Sequence, residues 1–166
     1  MTISDGELSA SESITVTIRN LDDTAPVINT TTFSAAENQT SIGPVIAEDP
    51  EGQTIIFNIS GSEISITPAG ILNFISAPDY EVKSSYTASV TATDGRNEAT
   101  QDITVSVMDV NDPPIFTSTS VFEATENQFE IGVVTVTDVD SQDFDFLVSD
   151  SEMSINSSGV LKFISA

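Results

Sequence analysis

An all-β chain built as a seven-stranded Greek-key β-sandwich is the fold class this sequence predicts, on three observations. Apolar and polar residues alternate with a period of two, as in Tyr86, Ala88, Val90 and Ala92 against Ser85, Thr87, Ser89 and Thr91. Turn chemistry (Gly, Pro, Asn, Asp) recurs between short apolar runs, and no segment carries an apolar face at helical spacing. The chain also repeats itself. Residues 33–77 match residues 122–166 at an offset of 89 with 22 identities in 45 positions and no gap. Thr2-Ile3-Ser4-Asp5-Gly6 and Ile14–Ile18 match Thr91–Gly95 and Ile103–Val107 at the same offset.

Within one period, strands are expected near 28–36, 44–48, 53–60, 62–67, 71–76, 85–93 and 101–108, the profile of a sandwich. Ile64 and Ile66 face Ile71–Phe74 across Pro68-Ala69-Gly70, which reads as a hairpin turn. Ile103, Val105 and Val107 alternate with Thr104 and Ser106 as a half-buried strand. Phe33, Phe57, Phe74 and their copies fall in these strands as core rather than as a ligand platform. The register divides the chain into the end of one repeat (1–20), a linker (21–26), a complete repeat (27–108), a second linker (109–114) and the front of a third repeat (115–166). A period near 90 residues marks a string of domains rather than a solenoid.

Composition narrows the chemistry. The 166 residues include 26 Asp and Glu against 4 Lys and Arg, a net charge of −22, with no His, Cys or Trp. Ser-His-Asp triads, cysteine nucleophiles and zinc or iron–sulfur sites are thereby excluded. Four basic residues cannot form a phosphate-binding patch, so nucleic acid is excluded as a partner. An enzyme is not expected: carboxylates alone can run glycoside hydrolysis, but nothing marks a cleft. A metal here would be a hard cation, Ca²⁺ or Mg²⁺, held by oxygen ligands. No apolar run reaches the ~18 residues of a membrane span. The first ten residues have neither the basic nor the apolar region of a signal peptide, and the repeat register favours a segment of something longer.

The acidic residues are clustered at strand ends. Asp109-Val110-Asn111-Asp112-Pro113-Pro114 follows the last strand, and Asn20-Leu21-Asp22-Asp23-Thr24-Ala25-Pro26 holds the equivalent place one repeat earlier. Glu37-Asn38, Asp49-Pro50-Glu51, Asp79-Tyr80-Glu81, Asp94-Gly95 and Asp138-Val139-Asp140 complete the set. In this order and within one period, these motifs resemble the calcium-binding motifs of cadherin repeats, which share the immunoglobulin-like sandwich. Asp109–Pro114 is similar to the DxND linker, Glu37-Asn38 to the first-strand motif, Asp49–Glu51 and Asp138–Asp140 to DxD, Asp79–Glu81 to DxE, and Ala92–Asp94 to the late AxD.

At the second linker the resemblance implies Ca²⁺ ligands from Glu37, Asp79, Glu81, the Val110 carbonyl, Asn111, Asp112, Asp138 and Asp140. At the first linker it implies Asp22, Asp23, Asp49, Glu51 and Asp94. The first departs from the family pattern, with Asn20 where the motif opens with Asp, Asp22 where it has Asn, and Glu51 for the second Asp of DxD. Carboxylates so close repel strongly without metal; at an effective dielectric near 20 each pair at ~4 Å costs about 4 kcal/mol. The function implied is a calcium-binding extracellular repeat, a rigid spacer or adhesion module of a long cell-surface or secreted protein. Its partners would be calcium, neighbouring repeats and other surface proteins or glycans.

Simpler readings stand beside these. Asp/Asn/Pro clusters are commonly turns, and Asp94-Gly95 could be a plain hairpin tip. Asp138–Asp143 is spaced like an EF-hand loop but lacks the Gly at position 6 and the Glu at position 12. Four N-glycosylation sequons, at Asn29, Asn38, Asn58 and Asn156, fit coincidence in so Ser/Thr-rich a chain. The alternative function is a carbohydrate-binding module of a secreted polysaccharide-active protein, against which 7% aromatics and no Trp argue. The strand at 9–19 could also pair in trans with the open edge of another molecule's 115–166.

Overall fold

The computed structural model describes residues 1–165, which form strands and turns and no helix. Two compact units emerge: residues 1–35, 39–77 and 85–106, and residues 36–38, 78–84 and 107–166. This division cuts across the 89-residue period, because loops 36–38 and 78–84 group with the later residues.

The first unit opens with a hairpin of β1 (Thr2–Ser4) and β2 (Ser9–Ser11). The chain then runs through β3 (Val27–Ile28), β4 (Thr32–Ala36), β5 (Ser41–Pro44), β6 (Ala47–Glu48), β7 (Ile56–Ile59), β8 (Ile64–Ile66), β9 (Ile71–Phe74), β10 (Ser85–Thr93) and β11 (Glu98–Met108). One sheet has the order β4-β11-β10-β7, another β5-β9-β8, and β3 pairs with β6. The stretch expected as one strand, 28–36, is divided at Asn29–Thr31, and its halves serve different sheets. Strands that change sheet in this way bend at the corner of a sandwich. The expected 44–48 strand is likewise two pieces, 41–44 and 47–48. Pro44 cannot donate to a ladder, and Val45 turns its N–H to the Gly70 carbonyl (2.8 Å).

Period-two alternation carries the core. Val90, Ala92, Ile103 and Val105 are essentially fully buried while Thr87, Thr104 and Ser106 on the opposite face are exposed. Phe57, Ile64, Leu72 and Phe74 close the core from the other strands. Phe74 of β9 meets Tyr86 of β10 edge-to-face at 5.0 Å, a favoured aromatic geometry.

Gly70 ends the 68–70 turn with φ +85, and a Cβ there would sit 2.9 Å from Phe57 Cε2 and 3.2 Å from the Val45 carbonyl. Gly70→Ala therefore combines left-handed strain with a core clash and should cost about 2 kcal/mol. Urea denaturation reads this as a lower midpoint at unchanged slope; an unaltered midpoint would refute it.

The second unit contains β12 (Ile115–Phe116), β13 (Glu130–Val133), β14 (Val136–Thr137), β15 (Met153–Ile155) and β16 (Val160–Phe163). The β13-β16-β15 sheet reproduces β5-β9-β8 at the repeat offset, including the bulge: Gly132 faces Leu161 as Gly43 faces Leu72. The β12–β14 pair repeats β3–β6 with one change. Ile115 takes the place of Val27 opposite Thr137, an offset of 88, because the second linker is one residue shorter.

Candidate metal centre

Glu37 is the fixed point of the acidic cluster. It is 3% exposed and follows β4, and its N–H donates to the Met108 carbonyl (3.0 Å). Its Oε2 accepts the Tyr80 N–H (2.7 Å) and its Oε1 the Val110 N–H (2.8 Å). One carboxylate thus ties together loop 78–84 and the start of the linker. Asn38, with φ +60, turns the chain immediately afterwards, a conformation Asn tolerates better than most residues. Its side-chain amide donates to Asp112 Oδ1 (2.9 Å).

Glu81 and Asp109 bring carboxylate oxygens to Glu37, so that three lie within 4.8 Å of one another. Glu81 and Asp109 are exposed, and both titrate high. The Glu81 backbone N–H pulls its carboxyl down, but desolvation and the charges of Glu37, Asp140 and Asp109 outweigh that. Desolvation raises Asp109, followed by the charges of Asp140, Glu37 and Asp112. Such mutual elevation is what crowded carboxylates do when no cation separates them. Asp140 is held against this group: its Oδ2 accepts the Asp112 N–H (2.6 Å), while Asp138 Oδ1 fixes the loop by accepting the Asp140 and Ser141 N–H groups (both 2.8 Å).

Other expected ligands are occupied by turn chemistry. Asp79 Oδ1 accepts the Val82 N–H (3.0 Å), and the Asn111 amide donates to the Asp112 carbonyl (2.9 Å). Val110 is engaged through its N–H with Glu37. Asp109 was not among the expected ligands, although it opens the motif that supplied Asn111 and Asp112; its position there was the available signal.

In the first unit, Asp22, Asp49 and Glu51 share a different signature. Each has one oxygen held by the protein and the other buried without a partner. Asp49 Oδ1 accepts the Glu51 and Gln53 N–H groups (both 2.9 Å), Glu51 Oε1 accepts the Thr24 hydroxyl (2.9 Å), and Asp22 Oδ2 lies 3.8 Å from Arg96 Nε. Asp22 Oδ1, Asp49 Oδ2 and Glu51 Oε2 are the buried orphans. A desolvated, unpartnered carboxylate oxygen is costly and is a natural Ca²⁺ ligand. Asp94 differs: Oδ1 accepts the Arg96 and Asn97 N–H groups (2.6 and 2.7 Å) and Oδ2 the Asn97 amide (3.1 Å), closing a hairpin tip. Asp23 is exposed.

These shifts set a pH dependence for the metal-free protein. A carboxyl raised in the folded state contributes stability below its unfolded pKa, which is lost as pH rises through the folded one. Glu81 and Asp109 therefore favour folding as pH falls from neutrality into the ordinary carboxylate range. Asp94, lowered by the Asn97 and then the Arg96 N–H bonds, works oppositely, losing its contribution below the ordinary carboxylate range. Melting in EDTA should show a midpoint that rises as pH falls from neutrality into the ordinary carboxylate range and falls again once it passes below that range. A monotonic fall across the whole range would contradict the crowding.

Residues 22–107 match the family described as bacterial Ig domain. Mouse cadherin EGF LAG seven-pass G-type receptor 2 is 30% identical over 125 residues, covering 67% of this chain and 4% of that much longer protein. Protocadherin gamma B2 extracellular cadherin domains 3–6 are similar in structure, with TM-score 0.59 and 25% identity over 96% of this chain and 47% of that one. Human protocadherin-24 EC1–2 gives TM-score 0.57 and 20% identity over 84% and 77%. Among the described residues no helix is long and apolar enough to cross a membrane.

Proposed function

Because the chain belongs to the bacterial Ig domain family and folds as a sandwich of the cadherin kind, we propose that it is a calcium-binding extracellular module, a spacer or adhesion element within a long cell-surface or secreted protein. The observation that carries this reading is the gathering of Glu37, Glu81 and Asp109 within 4.8 Å, with Asp140 acting electrostatically on the last two. On this reading residues 27–108 are the complete repeat and 21–26 and 109–114 are the linkers. Glu37, Glu81, Asp109, Asp112 and Asp140 would hold Ca²⁺ at the second linker, joined by Asp79, Asn111, Asp138 and the Val110 carbonyl as their loops adjust. Asp22, Asp49 and Glu51 would hold it at the first, with Asp23 and Asp94 beside them. The ion supplies positive charge that removes the repulsion and fixes the loops to one another. A tandem array so clamped behaves as a rod.

Isothermal titration calorimetry with Ca²⁺ tests the proposal. The parent chain should bind, and the double variant Glu81→Gln, Asp109→Asn should lose the second-linker heat while its metal-free fold becomes more stable. No heat at millimolar Ca²⁺ would refute calcium binding.

A further inference from the structure

Within the first unit, the tip of the β10–β11 hairpin reaches the first linker through two polar side chains. Arg96 Nε lies 3.8 Å from Asp22 Oδ2, and the Asn97 side-chain amide donates to the Thr24 carbonyl (3.5 Å). Thr24 in turn donates its hydroxyl to Glu51 Oε1 (2.9 Å), so the tip, the linker and the loop that carries Asp49 and Glu51 are joined by polar contacts. The tip is itself fixed. Asp94 Oδ1 accepts the Arg96 and Asn97 N–H groups, and Gly95 turns the chain with φ +99. These bonds determine where the Arg96 side chain leaves the backbone.

Nothing in the turn requires a basic residue at this position. The same turn closes at Asp5–Leu8, with φ +99 at Gly6 and Asp5 Oδ1 accepting the Glu7 and Leu8 N–H groups (3.0 and 2.8 Å). There Glu7 stands in the place of Arg96 at the repeat offset. Asp22 departs from the repeat too: at the second linker the corresponding residue is Asn111. A negative charge peculiar to this linker therefore faces a positive charge peculiar to this hairpin tip. One of the 4 basic residues of the chain sits on a carboxylate whose other oxygen, Oδ1, is buried without a partner.

We infer that Arg96 is a resident counter-cation of the first linker, which competes electrostatically with Ca²⁺ and sets the affinity there below what the carboxylates alone would give. The inference rests on the calcium reading and deepens it. The Arg96 side chain is 63% exposed and that of Asp22 only 20%, so the guanidinium covers the outer oxygen from the solvent side and leaves the inner one to a metal. Without metal, its charge offsets part of the repulsion among the carboxylates; with metal, the same charge opposes the arriving divalent ion. A guanidinium keeps its proton throughout the physiological range, so the competition is independent of pH there. Because the group is exposed, added salt screens it. The first linker accordingly loses less order when calcium falls, and needs more calcium to fill, than it would with a neutral side chain at position 96.

Calorimetric titration with Ca²⁺ in the Glu81→Gln, Asp109→Asn background, which lacks the second-linker heat, reads the first linker by itself. Two variants are added to that background, Arg96→Gln and the charge-preserving Arg96→Lys. At low ionic strength Arg96→Gln should bind Ca²⁺ about 5-fold more tightly than the background chain. Arg96→Lys should stay within about 2-fold of it, because the charge is kept. In ~1 M KCl the advantage of Arg96→Gln should shrink to under about 2-fold. In EDTA the same variant should melt ~1–3 °C lower, the loss of one exposed ion pair. An affinity of Arg96→Gln no higher than that of the background chain, an equal gain in Arg96→Lys, an advantage undiminished by salt, or an unchanged EDTA midpoint would each overturn the inference and leave the calcium reading standing. No first-linker heat in any of the three chains would overturn both.

Discussion

On the proposed calcium reading, millimolar Ca²⁺ should raise the unfolding midpoint of the metal-free protein by roughly 5–10 °C for each site filled, the largest effect expected of this molecule. The magnitude follows from mass action. A ligand that binds only the folded state contributes about 2.7 kcal/mol when its concentration is 100-fold above Kd. A chain of this size shifts about 2–4 °C per kcal/mol. Two properties of the acidic cluster place the effect at the upper end. The carboxylates of Glu37, Glu81 and Asp109 repel in the metal-free state, so part of the gain is relief of strain already present. The Glu37 carboxylate is already aimed by two backbone N–H groups, so little order is lost when an ion arrives. Calorimetric scans in EDTA and in Ca²⁺ measure the shift. Glu81→Gln with Asp109→Asn should abolish its second-linker share and raise the EDTA midpoint. Identical scans in both buffers would remove calcium from the account of this protein.

Glu37→Ala should be the most damaging single substitution in this cluster, costing about 2–5 kcal/mol even in EDTA. Its two acceptors satisfy the Tyr80 and Val110 N–H groups, and the residue is buried. Deleting the carboxylate leaves both donors unpaired, each at about 1–3 kcal/mol. Glu37→Gln keeps one acceptor and the shape, so it should cost less than half as much in EDTA while weakening Ca²⁺ binding fully. Thermal scans give the stabilities, and hydrogen exchange at the Tyr80 and Val110 amides should accelerate in the alanine variant. Equal stability of the alanine and glutamine variants in EDTA would show that the backbone bonds to Glu37 contribute nothing.

The parts legible in the sequence are those with a local cause. Period-two alternation marked β10 and β11 because one face of each is buried. Asp94-Gly95 was expected as a ligand position, with a hairpin tip as the simpler reading, and its hydrogen bonds close a hairpin tip; Asp5-Gly6 repeats it. The division of 28–36 was not legible, since Asn29-Thr30-Thr31 carries no breaker and the sheet change is imposed by partners far along the chain. The one-residue offset at Ile115 was visible as a shorter linker, but not that β12–β14 would absorb it by sliding. At the acidic cluster, spacing identified the loops without ranking their residues. Glu37 owes its role to Tyr80 and Val110, which approach it only in the fold, and Asp109 gains its place from the Glu37 and Glu81 carboxylates brought beside it there. Departures from the family pattern counted against the first linker, yet Asp22, Asp49 and Glu51 are the residues with buried, unpartnered oxygens.

The division of the first strand bears on how the domain carries mechanical load. Residues 27–36 join two sheets through pairings of unequal length, two residues at β3 and five at β4. Tension entering ahead of residue 26 would meet the buried Pro26 and then the short β3–β6 pairing. Its release frees about five residues, a lengthening of ~17 Å, before β4 is strained. If the longer sheet stays closed meanwhile, the strand end would serve as a small extensible fuse that spares Leu72 and Val105.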